Sequence, residues 1–434
     1  MVHVVGPVGL DGVAVAFDDE RAVADAGVVL PATLAARLGI EALVDQAVGL
    51  GEGPGAANAG AKVMTLISAM ALGADCIDDC DVLRAGQTGQ VLGHEVLAPS
   101  TLGTFLRAFT FGHVRQLDRV LGQTVERAWA AGAGPGDGRL VIDVDSFVGE
   151  VHGYAKQGAS FGYTRQRGYH PLLATRADTG EVIHIRCRTG SANTSRGMLR
   201  FCDELIARVD RAGAKGPKLL RADSGFWSKK TFARLEKAGW QFSIGVRMQA
   251  HIRAAVEQID EGAWQTLDDY PDTSIAQIAE TTLGAHRLVV RRVRTLDAQG
   301  ELLPSWEHYP FATNRTEPLA TVESEHRGHA VVELCIRDLK DQALAHFPSG
   351  KFMANAAWTV IAALAHNLLR WTHVLGLPGQ TIRAARTLRR RLLTIPGRLT
   401  RTARRWTLHL PARWPWQHDF TAALARLRAL PAPS

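Results

Sequence analysis

The stretch RLVIDVDSF, Arg139–Phe147, decides how this chain is read. Alternate residues of a strand share a face, so Val141, Asp143 and Asp145 point one way and Leu140, Ile142 and Val144 the other. Two acids at the end of an otherwise apolar strand are costly to bury unless they are paired or bind a metal. A second stretch, LLRADSGFW (Leu219–Trp227), has the same shape: a strand over Lys218–Asp223 ends on Asp223, before a Ser-Gly turn. Ligands in α/β sheets favour the carboxyl ends of strands, so two such strands side by side would bring Asp145 and Asp223 together. Asp at a strand end also forms N-caps and turns. Taken singly, each Asp carries that plain reading as well as the metal one.

A third acid comes from HRGHAVVELCIRDLKDQ (His326–Gln342). Val332, Cys335, Ile336 and Leu339 form the apolar face of a helix, and Glu333, Arg337 and Lys340 a polar stripe beside it. Glu333 stands alone in an apolar stretch and is expected at the core edge. Asp338, Asp341, Glu323 and Glu325 read as solvent-facing.

Around these motifs the chain is globular, with 46% hydrophobic residues among 434, enough for two or three domains. Helices are expected over Pro31–Ala47, Lys62–Ala74, Pro99–Phe109 and Val114–Ala131, followed by the linker AGAGPGDG to Gly138. The division is a mainly helical N-terminal DNA-binding domain (1–135), an α/β domain (138–378) with a β-rich insertion (250–308), and a basic helical tail (379–434). Strand, hairpin (170–188), helix (193–212), strand, helix, strand make a mixed α/β sheet. The uncharged run at 352–369 reads as a buried helix, since Asn355, His366 and Asn367 interrupt it. The N-terminus shows no signal-peptide pattern, no membrane association is expected, and the localisation expected is cytoplasmic.

The net charge is +7, and its distribution is uneven. No Asp or Glu occurs from Gln342 to Gln417, yet nine arginines lie between Arg383 and Arg405. Such a one-signed segment suits a phosphate surface, with Arg389, Arg390, Arg391, Arg404 and Arg405 as candidates. Lys156, Arg165 and Arg167, close in sequence to the first strand, are further phosphate candidates, and Trp264 and Trp306 are candidates for stacking on a base as well as for the core. Five scattered cysteines fit reduced thiols, and Cys76 with Cys80 makes a poor zinc site. A small-molecule α/β enzyme would want a Gly-rich phosphate loop, and the sequence has no G-x-G-x-x-G or P-loop in the required context.

Taken together, VIDVDSFVGEVHGYAKQGASFGYTRQRGYHPLLATRADTGEV (141–182), LLRADSGFW, YPFATNR (309–315), HRGHAVVELCIRDLK and FPSGKFMANAAW (347–358) resemble, in family order, DDE transposases of bacterial insertion sequences. The likeness is to insertion sequence family 1380, a relative of a larger group with a Y-x2-R-x3-E-x6-K signature. The resemblance implies an RNase H-like core with a β-rich insertion, and Asp145, Asp223 and Glu333 as the three acids holding Mg²⁺ or Mn²⁺. It implies excision and integration at terminal inverted repeats of double-stranded DNA, by a homodimer that synapses two ends. Aligned on Glu333, the signature's Lys falls on Lys340, but its Tyr falls on His326 and its Arg on His329; Arg327 is the candidate to replace the lost cation. Two alternatives stand beside this: a nuclease with the same core that cuts without joining, and a DNA-binding protein with an inactive site.

Overall fold

The computed structural model describes residues 10–162, 165–193, 195–295 and 305–432; the turn expected at 298–300 lies outside them. After a two-residue strand, β1 (Ala22–Val23), the N-terminal part is helical: α1 (Val29–Leu38), α2 (Ile40–Ala47), α3 (Ala59–Leu72), α4 (Thr88–Leu92), α5 (Pro99–Arg107) and α6 (Phe111–Ala128). Gly39, at φ 63, breaks what the sequence reads as one helix into α1 and α2. Thr110 opens α6 with a reciprocal cap: its hydroxyl accepts from His113 N–H while the His113 ring accepts from Thr110 N–H.

The remainder runs β2 (Leu140–Ser146), β3 (Gly149–Glu150), β4 (Ser160–Phe161), β5 (Arg167–Tyr169), β6 (Leu172–Arg176), β7 (Val182–Arg186), α7 (Met198–Arg211), β8 (Lys218–Ala222), α8 (Lys229–Lys237), β9 (Gln241–Gly245) and α9 (Ala250–Glu257). Then come β10 (Gln265–Thr266), β11 (Ser274–Leu283), β12 (His286–Thr295), β13 (Glu307–Thr313), α10 (Leu319–Arg327), α11 (Val331–Lys340) and α12 (Phe352–Gly376). The chain closes with α13 (Ala385–Leu388), β14 (Gly397–Thr402), β15 (Arg405–His409) and α14 (Gln417–Ala429).

Nine strands form one mixed sheet in the order β10-β11-β12-β13-β9-β8-β2-β6-β7. β2, β8 and β9 are parallel to one another at its centre, and the flanking pairs are antiparallel. The β-rich segment 250–308 does not stand apart from this sheet, because β11 and β12 pair over ten residues and β13 joins them to β9. It also begins with a helix, α9.

α12 is the central helix. It packs on β7 and on α1, α3, α5 and α6, and 89% of its most apolar window is buried. One hydrophobic core is continuous from Leu30, Leu66 and Leu121 in the N-terminal helices to Val144, Leu220 and Ile244 in the sheet. The fully buried Glu181 carboxylate pins the parts together, accepting from the indoles of Trp129 (2.7 Å) and Trp371. A buried carboxylate needs such partners.

The C-terminal region departs from its expected helical character. Residues 397–409 form a two-stranded hairpin that pairs with β1. Thr, Arg, Trp and Leu alternating over this stretch place Leu399 and Leu408 against Val23 and Ala26, a period-2 burial that a helix cannot satisfy.

Candidate active site: three carboxylates at the sheet's carboxyl edge

β2 and β8 are in parallel register with Val144 opposite Ala222, so Asp145 and Asp223 leave adjacent strands at the same edge. Asp145 Oδ1 accepts from the N–H of Ser146 at 2.6 Å. Asp223 Oδ1 accepts from Gly225 N–H at 2.9 Å and caps the 3-10 turn Ser224–Phe226. Asp223 therefore is a turn former through one oxygen, while its exposed carboxylate also lines a cleft. Gly245, at the end of β9, allows this turn to approach: a Cβ there would stand 2.7 Å from Ser224 N.

Glu333 lies exposed in the first turn of α11, whose Val332, Cys335 and Leu339 are buried as the periodicity requires. Glu333 and Asp223 line the same cleft, of about 660 Å³, together with Arg247, Arg291, Arg327 and His329. Burial raises the Asp145 carboxyl to about 6, and the Asp223 and Glu333 carboxylates add to the rise; Ser146 N–H and His329 oppose it. The three acids thus sense one another electrostatically, although their oxygens do not all lie within 4.8 Å of each other. A half-buried cluster of carboxylates with no cation bound among them fits a hard divalent ion with oxygen ligands.

Two other acid-containing groups are tighter, and neither suits a metal as well. Asp118, His184 and Glu204 are already matched by Arg115, Arg186, Arg200 and Arg208. Although burial opposes it, His184 and these arginines hold Glu204 down at about 2. Asp75, Cys76 and Asp79 form a loop in which Asp79 Oδ2 accepts from the N–H groups of residues 75 and 76.

Asp143, on the strand face of Asp145, is fully buried and forked by Arg221: Nε to Oδ1 and Nη2 to Oδ2, both at 2.7 Å. It is an ion-pair residue with no free edge. Of the acids expected to face solvent, Asp341 does, but three others do not. Asp338 is buried against Arg370 and the N–H of Ala385; Glu323 is buried against Arg291; half-buried Glu325 pairs with Arg139 and Arg315. Each lost its solvent because an arginine distant in sequence folds onto it.

The residues at the signature positions divide. Lys340 is exposed, with Nζ 5.3 Å from the centre of the Phe147 ring just beyond β2. His329 Nε2 lies 3.3 Å from Val144 O, beside the acids. His326 is packed inward, its ring stacked on Phe311 at 3.9 Å and Nδ1 2.8 Å from Ser243 Oγ. Burial, then the nearby His329 and arginines, push it down to about 3, so it is neutral. Arg327 is paired with Asp269 (2.5 Å) and Glu323 (3.4 Å), so its charge is already matched.

Several expected phosphate contacts prove to be internal. Lys156 donates to Phe347 O, and Arg167 to Gly153 O and Tyr154 O, folding the loop after β2. Arg389 is buried, donating to Gln342 Oε1 at 3.0 Å. Arg391 is half-buried over the Trp416 ring at 5.2 Å. Arg165, Arg390, Arg404 and Arg405 are exposed. Trp264 and Trp306 enclose Arg292, at 4.1 and 4.4 Å from their ring centres. Their faces are thereby filled by a cation of the protein itself, and a base has no place between them.

Arg247, just beyond β9, was not legible as a site residue. It lines the cleft at Asp223 and also an adjoining hollow of about 520 Å³ lined by Phe161, Gly190 and Asn193. Arg291 and Arg327 of the cleft are ion-paired; Arg247 makes no ion pair among the described residues. A cation following a strand by two residues is the available signal, and it is a weak one.

A sheet whose central parallel strands and an adjoining helix converge three acids on an open cleft defines a phosphoryl-transfer class of site in outline. The chain belongs to the DDE transposase family: the family model described as "Transposase DDE domain group 1" matches residues 6–432. Among solved structures, it is similar to the piggyBac transposase in a synaptic complex with hairpin DNA, with 12% identity, a TM-score of 0.46, and coverage of 86% of this chain and 80% of that one. No curated protein sequence matches it.

Proposed function

We propose that this transposase excises and integrates an insertion sequence, cutting and joining double-stranded DNA at terminal inverted repeats. Asp145, Asp223 and Glu333 are its metal ligands. The observation that carries this reading is the convergence of these carboxylates on one cleft, with Asp145 raised by its burial and by the other two. Bound Mg²⁺ or Mn²⁺ supplies activation of the attacking oxygen and stabilisation of the leaving oxygen in an in-line displacement. The residues of the chain do the rest. Ser146 N–H and Gly225 N–H orient the two aspartates by holding one oxygen of each. Arg221 anchors the segment that leads into the Glu333 helix through Glu325 O and Gly328 O. Arg247, beside Asp223, binds the phosphate of the strand crossing the cleft.

On this reading the central sheet is an RNase H-like core within residues 138–378, entered by the β-rich segment 250–308. Helices of 1–135 and the basic region 379–434 hold DNA, and a homodimer in the bacterial cytoplasm synapses two ends. Cleavage of labelled duplexes tiling the DNA that flanks the coding sequence, with Mg²⁺, tests it. Wild-type protein should nick at a repeat boundary and Glu333→Gln should not. Equal cutting by both removes Glu333 from the site. Cutting without strand-transfer products leaves a nuclease.

A further inference from the structure

We infer that the β14–β15 hairpin is a groove-reading ribbon for duplex DNA. This rests on the transposase reading and assigns a surface to recognition rather than to chemistry. The register pairs Arg398 with His409, Thr400 with Thr407 and Thr402 with Arg405, so these six side chains share one face. The opposite face carries Leu399 and Leu408, which pack on Val23 and Ala26 and fix the ribbon to the body. The polar face therefore points away from the core. Arg398, Thr402, Arg405, Thr407 and His409 on it are exposed.

Charge complementarity selects the occupant. Residues 397–409 contain Arg398, Arg401, Arg404 and Arg405 and no carboxylate. Asp19 approaches Arg398 at 3.6 Å, at the base of the ribbon. The turn end has no acid against it among the described residues: Arg404 and Arg405 are exposed there, and Arg401 lies over the exposed Trp406 ring at 5.3 Å. A two-stranded antiparallel ribbon is narrow enough for the major groove, where threonine hydroxyls and methyls meet base edges and flanking arginines meet phosphates. Ala403, at φ 53, turns the chain in two residues and keeps the tip thin. A protein partner would want an apolar centre on the outward face, and this face has none.

Full-length protein tests the ribbon by its binding to the flanking duplexes and to a scrambled duplex across a salt series. Arg404→Gln/Arg405→Gln should lower the slope of log affinity against log salt by about 1.8, at ~0.9 per phosphate contact. Thr402→Val/Thr407→Val, which keeps strand-forming side chains, should leave the slope alone and cut end-over-scrambled discrimination about tenfold. Thermal melts of both variants should match wild type. If wild type cuts and both variants bind with unchanged slope and discrimination, the ribbon is wrong and the transposase reading stands. A fall in slope with no loss of discrimination in the threonine variant overturns groove reading. If wild type neither binds selectively nor cuts any tiled duplex, both readings fall together.

Discussion

Asp143 and Arg221 face each other across the parallel strands β2 and β8, joined by two hydrogen bonds of 2.7 Å. Arg221 also donates to Glu325 O and Gly328 O, tying the sheet to the turn that leads into the Glu333 helix. This pair sets where the third acid sits relative to the first two. Removing one partner leaves a buried charge uncompensated. Arg221→Met should therefore destabilise the fold by about 3–5 kcal/mol, whereas adding Asp143→Asn to it should recover part of the loss. Urea unfolding of the single and double variants checks this. Equal stability of the two would mean that the pair does not act as a unit.

Asp145 predicts a pH signature. Its folded carboxyl is raised, chiefly by burial and then by Asp223 and Glu333, to about 6 from an ordinary 3.8. The folded state therefore holds the proton longer than the unfolded state, and in chelator, stability from this group falls as pH rises from about 4 to 6. Above that range the ionised carboxylate is a liability. Asp145→Asn should raise the melting temperature in EDTA at pH 7.5, by the equivalent of roughly 1–2 kcal/mol. The same variant should lose the stabilisation that wild type gains from Mg²⁺. A variant that melts below wild type in EDTA would contradict the electrostatic account.

Arg247 should affect the reaction and not the fold, since it is exposed and pairs with no acid among the described residues. Arg247→Gln is expected to slow cleavage about 10²-fold, in the range for losing one charge-stabilising donor. Arg247→Lys should restore part of that rate and none of the bidentate geometry. Single-turnover cleavage with unchanged thermal melting is the check, and a wild-type rate in Arg247→Gln would dismiss the phosphate role.

Arg292 between Trp264 and Trp306 is a structural clamp, closed further by the Glu261 fork at 2.9 and 2.7 Å. Arg292→Leu should cost about 1–3 kcal/mol, from two cation–π contacts and the lost fork. Tryptophan emission should change as both rings lose their cation. An unchanged spectrum and melting point would show that the stack does not hold the edge of the sheet together.

Much of the central architecture was legible because it rests on short-range patterns. Period-2 alternation marked β2 and the strand ending on Asp223, and helical spacing marked the buried face of α11. The carboxyl-edge argument brought Asp145 and Asp223 together before any register was known. The same local logic failed for Asp338, Glu323 and Glu325, which looked like surface charges and are held by Arg370, Arg291, Arg139 and Arg315. It failed again for residues 397–409, where an arginine-rich run read as helix became a ribbon because Val23 and Ala26 offered its leucines a flat apolar face.

What the sequence determined by itself was the set of strands and helices that carry the acids, and the basic balance of the C-terminal region. Only the tertiary structure decided which charges remain available. Asp143 and Asp145 are two residues apart on one strand face, yet one is neutralised by Arg221, 78 positions away, and the other faces the cleft. Arg389 is spent on Gln342, and Arg404 stays in solvent. The physical reason is that backbone periodicity is a local property of the chain, whereas the solvation and pairing of a charge depend on whatever the completed fold sets beside it.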